Sequence, residues 1–346
     1  MIRPGQLIVS CLLAGGLAAL SGCNSTGRVN TEKPSAPETA SRVTDKNATR
    51  AKFPQISLDP GAHATLGEAF RHIGETFGGG AALTAGLEDR PMPAAGLGHT
   101  GFVPGLERLA EPYDCKIQVT PYYVFFYPQG YESLAALTLT GTVGTRFDAT
   151  RASFAIGAGT DLFNAFALLG DSLKMTIVAD NIVADAWCGE VFLEDAPVSA
   201  IVEALLKSAR IAPDMVQIES SDDYLFIRSA ANQSRPPSCL NREQLTAEQL
   251  AILQTPLTLR LPDTGSAFTF QAEPATLARV LPDLSRALGI PVTADDAMGR
   301  LPVNITAFHA IPTETALDLL VRQWLLPRYG YRILNGGLHF CQRPVN

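Results

Sequence analysis

The feature that most constrains this fold is one apolar spacing that occurs three times along the chain. In each of three segments, large apolar side chains stand at relative positions 0, 4, 7 and 11, beginning at Leu66, Leu162 and Leu277. A helix of about 3.6 residues per turn places such positions on one face, so the spacing predicts three amphipathic helices. Three stripes of the same spacing indicate an internal repeat.

A second helix follows each of these stripes in the same register. A shift of 96 residues carries Leu109 onto Leu205, and a shift of 115 carries Leu205 onto Leu320. The second shift also superimposes Pro197 on Pro312, and proline suits the first turn of a helix, where its missing N–H is not needed. The repeat therefore extends over two helices.

Short strands are predicted around these helices. Alternating apolar residues precede the first helix of each segment, at Ile56/Leu58, Phe154/Ile156 and Phe268/Phe270. A strand after the first helix is predicted at 176–179 and 291–293. Polar or Gly-rich turns predict a closing hairpin in each segment, at 116–119 with 123–127, 215–218 with 224–227, and 331–334 with 338–341.

The N-terminus has the features of a processing signal. A positive charge at Arg3 precedes an apolar run that ends at Leu20 and is too short to span a bilayer. The sequence Leu-Ser-Gly-Cys ending at Cys23 resembles the lipobox of bacterial lipoproteins. That resemblance implies cleavage before Cys23, acylation of its thiol and a permanent membrane anchor. Asn24, where the family uses Asp for inner-membrane retention, favours the outer membrane, with the protein facing the periplasm.

We therefore predict an α+β protein: three tandem small β-α-β-β-α-β-β modules that follow a flexible lipidated tether. The tether is rich in Ser, Thr, Asn, Pro and charge, and it has no apolar period. The expected divisions are 1–22 signal peptide, 23–52 disordered tether, 53–130 module one, 131–150 linker, 151–229 module two, 230–255 linker with a short helix, and 256–346 module three.

Both linkers carry a local prediction. The Thr- and Gly-rich stretch at 138–147 is expected to add a strand that pairs with a neighbour. In the second linker, Thr246 is predicted to cap a short helix that has Glu248 in its first turn.

The modules resemble the short N-terminal domain shared by secretins and TonB-dependent receptors. The residues that carry this resemblance are 154–156 with 161–166, then 191–198 with 204–206, and 313–320 in the third module. The motif is a packing pattern without an invariant polar residue, and it covers most of residues 53–343. No pattern of a secretin pore or a receptor barrel is recognisable, so only the periplasmic docking part of those families is implied.

Sequence patterns that carry chemistry are few. Gly96–Gly101 matches GxGxxG, but Pro91–Ala95 before it is no buried strand, which indicates a Gly-rich approach to a helix instead of a nucleotide site. Neither HExxH, GxSxG nor a Walker A motif occurs. We expect no enzyme activity, no cofactor and no metal. A net charge of −7 without a basic stripe argues against nucleic acid as a partner.

Cysteine usage predicts disulfides. Besides Cys23 and the cysteine of the signal peptide, the chain has Cys115, Cys188, Cys239 and Cys341. An even number in the oxidising periplasm indicates bridges. We favour Cys239–Cys341 together with Cys115–Cys188; the alternative is a set of free, buried thiols.

Aromatic residues give the remaining candidates for a site. Five of them within six residues exceed one face of a strand, which suggests a docking strip for a partner. The strip consists of Tyr122, Tyr123, Phe125, Phe126 and Tyr127. Trp187 and Trp324 are expected in the core or between modules.

These observations favour a non-catalytic periplasmic lipoprotein that acts as a protein-interaction scaffold in a cell-envelope assembly. By the family resemblance, its partners would be envelope proteins, such as a secretin or a component of a secretion or type IV pilus system. The alternative is a periplasmic lipoprotein that holds a peptide, glycan or small molecule in a cleft between modules, with the aromatic strip as its lining.

Overall fold

The structure is a computed structural model that describes residues 55–58, 63–77, 80–92, 97–234, 245–260, 274–305, 307–334 and 336–342. The predicted signal peptide, Cys23 and the tether lie outside the described residues. So do Cys239 and the strand expected at Phe268/Phe270.

The chain is a mixed α and β protein, compatible with the α+β class, with eleven α-helices and several small sheets among the described residues. We name three segments by their order. Segment one has β1 Gln55–Leu58, α1 Leu66–Phe77, β2 Ala81–Leu83, β3 Leu97–Gly101, α2 Phe102–Ala110, β4 Cys115–Val119 and β5 Val124–Pro128. Two helices follow it, α3 Glu132–Ala135 and α4 Thr145–Ala149.

Segment two has β6 Arg151–Ile156, α5 Leu162–Leu173, β7 Thr176–Ala179, α6 Asn181–Ala184, β8 Val191–Pro197, α7 Val198–Ser208, β9 Val216–Ser220 and β10 Tyr224–Ser229. The helix α8 Ala247–Gln254 precedes segment three. Segment three has β11 Pro256–Arg260, β12 Ala275–Thr276, α9 Leu277–Leu288, β13 Val292–Ala294, α10 Asp296–Gly299, β14 Pro302–Val303, β15 Ala307–Pro312, α11 Thr313–Arg322, β16 Tyr329–Leu334 and β17 Gly337–Gln342.

The three helices predicted from the apolar spacing are confirmed. Helices α1, α5 and α9 each run for 12 residues, from the first to the last position of the stripe. Most of the stripe is buried, as in Leu162, Phe166 and Leu169 of α5. Full burial of one such side chain contributes about 1.5–3 kcal/mol, so each stripe fixes its helix on the sheet beside it. Pro197 and Pro312 mark the starts of α7 and α11 as predicted, but each is the N-cap residue, one position before the predicted first turn.

The strands pair in the same way in each segment. The strand before the first helix pairs antiparallel with the strand before the second helix, as β1–β3, β6–β8 and β11–β15. The strand after the first helix pairs parallel with the last strand, as β2–β5, β7–β10 and β13–β17. The predicted closing hairpins are β4–β5, β9–β10 and β16–β17.

Backbone conformation repeats in the same register. A residue with positive φ follows the second helix of every segment: Asp114 (φ 53), Arg210 (φ 61) and Leu325 (φ 26). Asp195 and Ala310, both with positive φ, stand at equivalent irregularities of β8 and β15. Non-glycine residues rarely adopt this conformation, so its recurrence at shifts of 96 and 115 residues reflects equivalent local structure.

The strand predicted in the first linker is not formed. Residues 138–147 form turns and the start of α4, with no strand. The backbone N–H of Leu139 donates to the Glu203 carboxylate at 2.9 Å, and the N–H of Gly141 donates to Asp148 at 2.9 Å. Side chains thus satisfy amides that a neighbouring strand would otherwise bind.

The second linker agrees with its prediction. Thr246 caps α8, and its hydroxyl accepts from the backbone N–H of Gln249. The Gln249 side chain in turn accepts from the N–H of Thr246, which completes a capping box.

Candidate interaction surfaces

Segments one and two share one continuous sheet. Strand β2 pairs on one side with β5 of its own segment and on the other with β8 of segment two. The result is a five-stranded sheet in the order β4-β5-β2-β8-β6. Ala82 and Phe125 of segment one pack within the core of segment two, so the second core is completed by its predecessor.

Segments two and three meet through the equivalent surfaces. Val178 and Phe226 of segment two pack within the core of segment three, as Ala82 and Phe125 do one segment earlier. The strands β7 and β15 lie side by side without a continuous ladder, and the N–H of His309 donates to the Thr176 hydroxyl at 3.0 Å. The second interface therefore lacks the strand ladder that joins β2 to β8 at the first.

One hydrogen bond crosses both interfaces at equivalent positions, and each time a second bond within the following segment accompanies it. At the first, the N–H of Ala85 donates to the Ser208 carbonyl (2.8 Å), and the Ser208 hydroxyl accepts from Gly189 (2.8 Å). At the second, Gln323 takes the place of Ser208: its carbonyl accepts from Asn181 (3.3 Å) and its side-chain oxygen from Asn304 (2.6 Å). Every position is displaced by 96 or 115 residues, so these hydrogen bonds are equivalent in the two places.

A buried cation lies at the centre of the first interface. The Lys207 side chain is 1% exposed, and its ammonium donates to Glu203 at 2.8 Å and to Gln118 of segment one at 3.0 Å. It also lies 5.9 Å from the ring centre of Phe125. The hydroxyl of Tyr123 donates to Glu203 at 2.6 Å, so the carboxylate has partners in both segments.

An equivalent cation lies at the second interface. Arg322 is 115 residues beyond Lys207, and its side chain is 4% exposed. Its guanidinium donates to both carboxylate oxygens of Glu219 in segment two, at 2.9 and 2.5 Å, and lies 5.0 Å from the ring centre of Phe226. A bidentate pair of this kind fixes both distance and orientation.

These environments shift the ionisation of the groups concerned. Burial lowers the pKa of Lys207, against the opposing effect of Glu203. Burial, together with Glu203, raises the pKa of the Tyr123 hydroxyl well above its usual range. The hydrogen bond from Arg322 lowers the pKa of Glu219. Lys207, Glu203 and Arg322 are paired and buried, and each pair joins two segments, so the arrangement serves to hold the segments together.

The predicted docking strip is wrong as an exposed surface. Tyr123, Phe125, Phe126 and Tyr127 are buried, and Tyr122 is half-buried beside Arg151, 5.7 Å from its ring centre.

Strand alternation explains why both faces are aromatic. Phe126 points into the core of segment one, whereas Tyr123, Phe125 and Tyr127 point into the core of segment two. Three residues of the strip therefore pack against segment two of the same chain.

The predicted Cys115–Cys188 bridge is not formed. Both residues are free thiols, and burial raises the pKa of Cys115 to about 11 and that of Cys188 further. Cys115 begins the edge strand β4, whereas Cys188 lies just before β8, three strands away in the same sheet. At about 4.8 Å per strand, that separation exceeds the roughly 7 Å limit between Cα atoms of a disulfide. Cys341 is buried, and its predicted pairing with Cys239 lies outside the described residues.

The tryptophans differ from each other. Trp324 is 3% exposed in the core of segment three, as predicted, and its indole N–H donates to the Pro302 carbonyl at 2.6 Å. The prediction for Trp187 is wrong, because it is 66% exposed. The repeat gives a signal for this: Trp187 stands where the other segments have Pro91 and Pro302.

An ionic cluster at the second interface was missed by sequence reasoning. Asp171 on α5 lies 3.6 Å from Nε2 of His309 and 3.5 Å from the guanidinium of Arg260, both in segment three. His309 and Arg260 lower the pKa of Asp171, in that order of effect, against its partial burial. The residues are far apart in sequence, and only the packing of α5 on β15 brings them together.

The glycine-rich motif folds as the residues before it suggested. Residues 97–101 form β3, which pairs with β1 and leads directly into α2. Among the described residues, no three His, Cys, Asp or Glu side chains are placed to hold a metal ion. In that same part of the chain, no helix has the length and apolar character needed to cross a membrane.

Comparisons of the chain with models of protein families, with curated proteins and with solved structures found no match.

Proposed function

We propose that this protein is a non-catalytic periplasmic lipoprotein in which three secretin-type short N-terminal modules form a scaffold for a cell-envelope assembly. A secretin-based secretion system or a type IV pilus system is the setting that the resemblance implies. Residues 1–52 would supply the lipid anchor, through Cys23, and the reach from the outer membrane into the periplasm.

The observation that carries this proposal is the repeated interface. Two successive segments dock on their predecessors through Lys207 and Arg322, which occupy equivalent positions and reach over equivalent aromatic rings. Each core is completed by side chains of the segment before it. Such a stack holds its modules at a fixed spacing, which suits a protein that positions partners.

Among the residues that the structure describes, Trp187 is the surface side chain best suited to contact a partner. Exposed tryptophans are frequent among the residues that dominate binding energy. The neighbouring backbone is held by the bridge between Trp187 and Asp161, so the indole projects from ordered structure. This position carries a large aromatic side chain only in segment two.

A ligand cleft lined by the aromatic strip receives no support, since three of its five residues are buried between segments one and two and Phe126 is buried in the core of segment one. We therefore prefer the scaffold.

The test is crosslinking in intact envelopes, followed by co-purification of a tagged full chain and mass spectrometry. We expect near-stoichiometric recovery of a secretin or a pilus component, and much lower recovery with Trp187→Ala, because removal of a central tryptophan costs about 2 kcal/mol or more, which is roughly a thirty-fold loss of affinity. Leu326→Ala, at another exposed apolar side chain, is the matched control and should leave recovery unchanged. Recovery of the membrane-anchored protein alone would exclude a stable scaffold.

A further inference from the structure

Segment one exposes the helix face that the other segments use for docking. A shift of 96 residues carries Glu111 onto Lys207, and a shift of 115 carries Lys207 onto Arg322. Lys207 and Arg322 are buried against a preceding segment, whereas Glu111, directly after α2, is exposed. Glu107, one turn earlier, is exposed as well. This face thus presents a carboxylate where the internal docking helices carry a cation.

Segment three exposes the strand face that the other segments offer to a successor. Arg332 lies opposite His339 in the last hairpin, in the register in which Glu219 lies opposite Phe226 in segment two. Arg332 is exposed, and the side chain of His339 is 31% exposed, with Nε2 3.1 Å from Asp295. The strand position that carries Glu219, the acceptor for Arg322, in segment two therefore carries the guanidinium of Arg332 in segment three.

The two end faces are complementary in charge. Glu111 is an acid at the position of Arg322, and Arg332 is a cation at the position of Glu219, the pair of the second interface. We propose that a second copy of this chain docks head to tail, with its segment one on segment three of the first copy. Repetition of the internal geometry would place the Glu111 carboxylate against the Arg332 guanidinium and beside the His339 ring. In this contact Glu111 would take the position that Arg322 has at the second interface, and Arg332 would take the position of Glu219.

The end faces are less apolar than the internal interfaces, and this affects the strength of the contact. Phe125 and Phe226, the aromatic platforms of the internal interfaces, are replaced by His339, so less apolar surface is buried. Charge then supplies a larger share of the binding, and association should weaken with salt. The contact is heterologous, because it joins segment one of one copy to segment three of the next. Each oligomer therefore keeps one free segment-one face and one free segment-three face, and it grows as an open chain unless the rotation between successive copies closes a ring.

Sedimentation velocity of the full chain in density-matched detergent tests this, and it does not depend on the partner proposed above. We expect a concentration-dependent series of oligomers at low salt that is lost at roughly 1 M salt, where the Debye length is about 3 Å. Glu111→Lys and Arg332→Glu should each abolish the series, since each places like charges face to face. Glu248→Lys and Arg279→Glu, which make the same charge changes at other exposed positions, should not.

The decisive arm is the charge swap. The double variant Glu111→Lys/Arg332→Glu should again form oligomers, and so should a mixture of the two single variants, because every head then faces a tail of opposite charge. A wild-type chain that stays monomeric at all concentrations would overturn the proposal and identify the end faces as caps. Oligomers that persist in both single variants would also overturn it, by assigning association to another surface.

Discussion

Lys207 shows at the scale of one residue how the stack is held. Its ammonium is enclosed with the Glu203 carboxylate, and the pair bridges two segments through Gln118 and Tyr123. Removing one member leaves the other charge buried without its partner, so Lys207→Met should lower the free energy of unfolding by about 3–5 kcal/mol.

The double variant Lys207→Met/Glu203→Gln separates that penalty from lost packing. It leaves no unpaired charge, and we expect it to be more stable than Lys207→Met alone. Urea unfolding measures all three proteins. Equal losses of unfolding free energy in the single and double variants would show that the unpaired charge does not cause the destabilisation.

Cys23 is the residue on which the proposed location depends. If its thiol carries the acyl chains, Cys23→Ser should move the protein from the membrane fraction to the soluble periplasmic fraction, because no lipid would then anchor it. Cys115→Ser, at a free thiol, is the matched control and should leave the protein in the membrane fraction. Fractionation and immunoblotting give the readout, and a Cys23→Ser protein that stays with the membrane would refute acylation at this site.

At the scale of elements, Gly189 controls how closely β8 approaches β2. A Cβ at this position would overlap the carbonyl oxygen of Leu83 across the first interface. Gly189→Ala should therefore cost about 1–3 kcal/mol of unfolding free energy, as expected for overpacking. At Gly157 the nearest atom to an added Cβ is 3.7 Å away, so Gly157→Ala should change stability by no more than about 0.5 kcal/mol in the same urea assay. Equal effects of the two variants would contradict the close approach.

The predictability of each element depended on how local its determinants are. The stripe that begins at Leu162 fixed the bounds of α5, because periodicity and burial act within one helix. The aromatic run 123–127 identified a strand with two apolar faces, but not that segment two covers one of them. That assignment requires the pairing of β2 with β8, which joins residues about 110 apart in sequence. The buried pairs of Lys207 and Arg322 were missed for the same reason.

The contact between α5 and β15 should respond to acid. The pKa of Asp171 is lowered in the fold by His309 and Arg260, so its ionised form stabilises the folded state above the unfolded pKa of about 3.9. This contribution is lost as pH falls through the lower, folded-state pKa. In urea unfolding between about pH 7 and pH 3, Asp171→Asn should therefore show a shallower loss of stability with acid than wild type. Parallel curves would show that this carboxylate contributes nothing across the interface.

On the scale of the whole molecule, the two interfaces share equivalent side-chain contacts but differ in strand pairing. The first is a continuous sheet through β2 and β8, whereas the second lacks a ladder between β7 and β15. Backbone pairing links the unfolding of neighbouring elements, so segments one and two should open together and segment three before them.

Native-state hydrogen exchange in low denaturant tests this order. Amides of β16 and β17 should exchange through an opening of lower free energy than those of β5 and β10. Arg322→Met should widen the difference, because it weakens the second interface, whereas Gly189→Ala should narrow it, because it weakens the first. A single opening energy for all these strands, unchanged by either variant, would mean that the chain unfolds as one unit and that the missing ladder has no energetic consequence. If the opening free energies change in the two variants as expected, the interface between segments two and three is the less stable one. A partner could then change the angle of segment three with the smallest loss of stability.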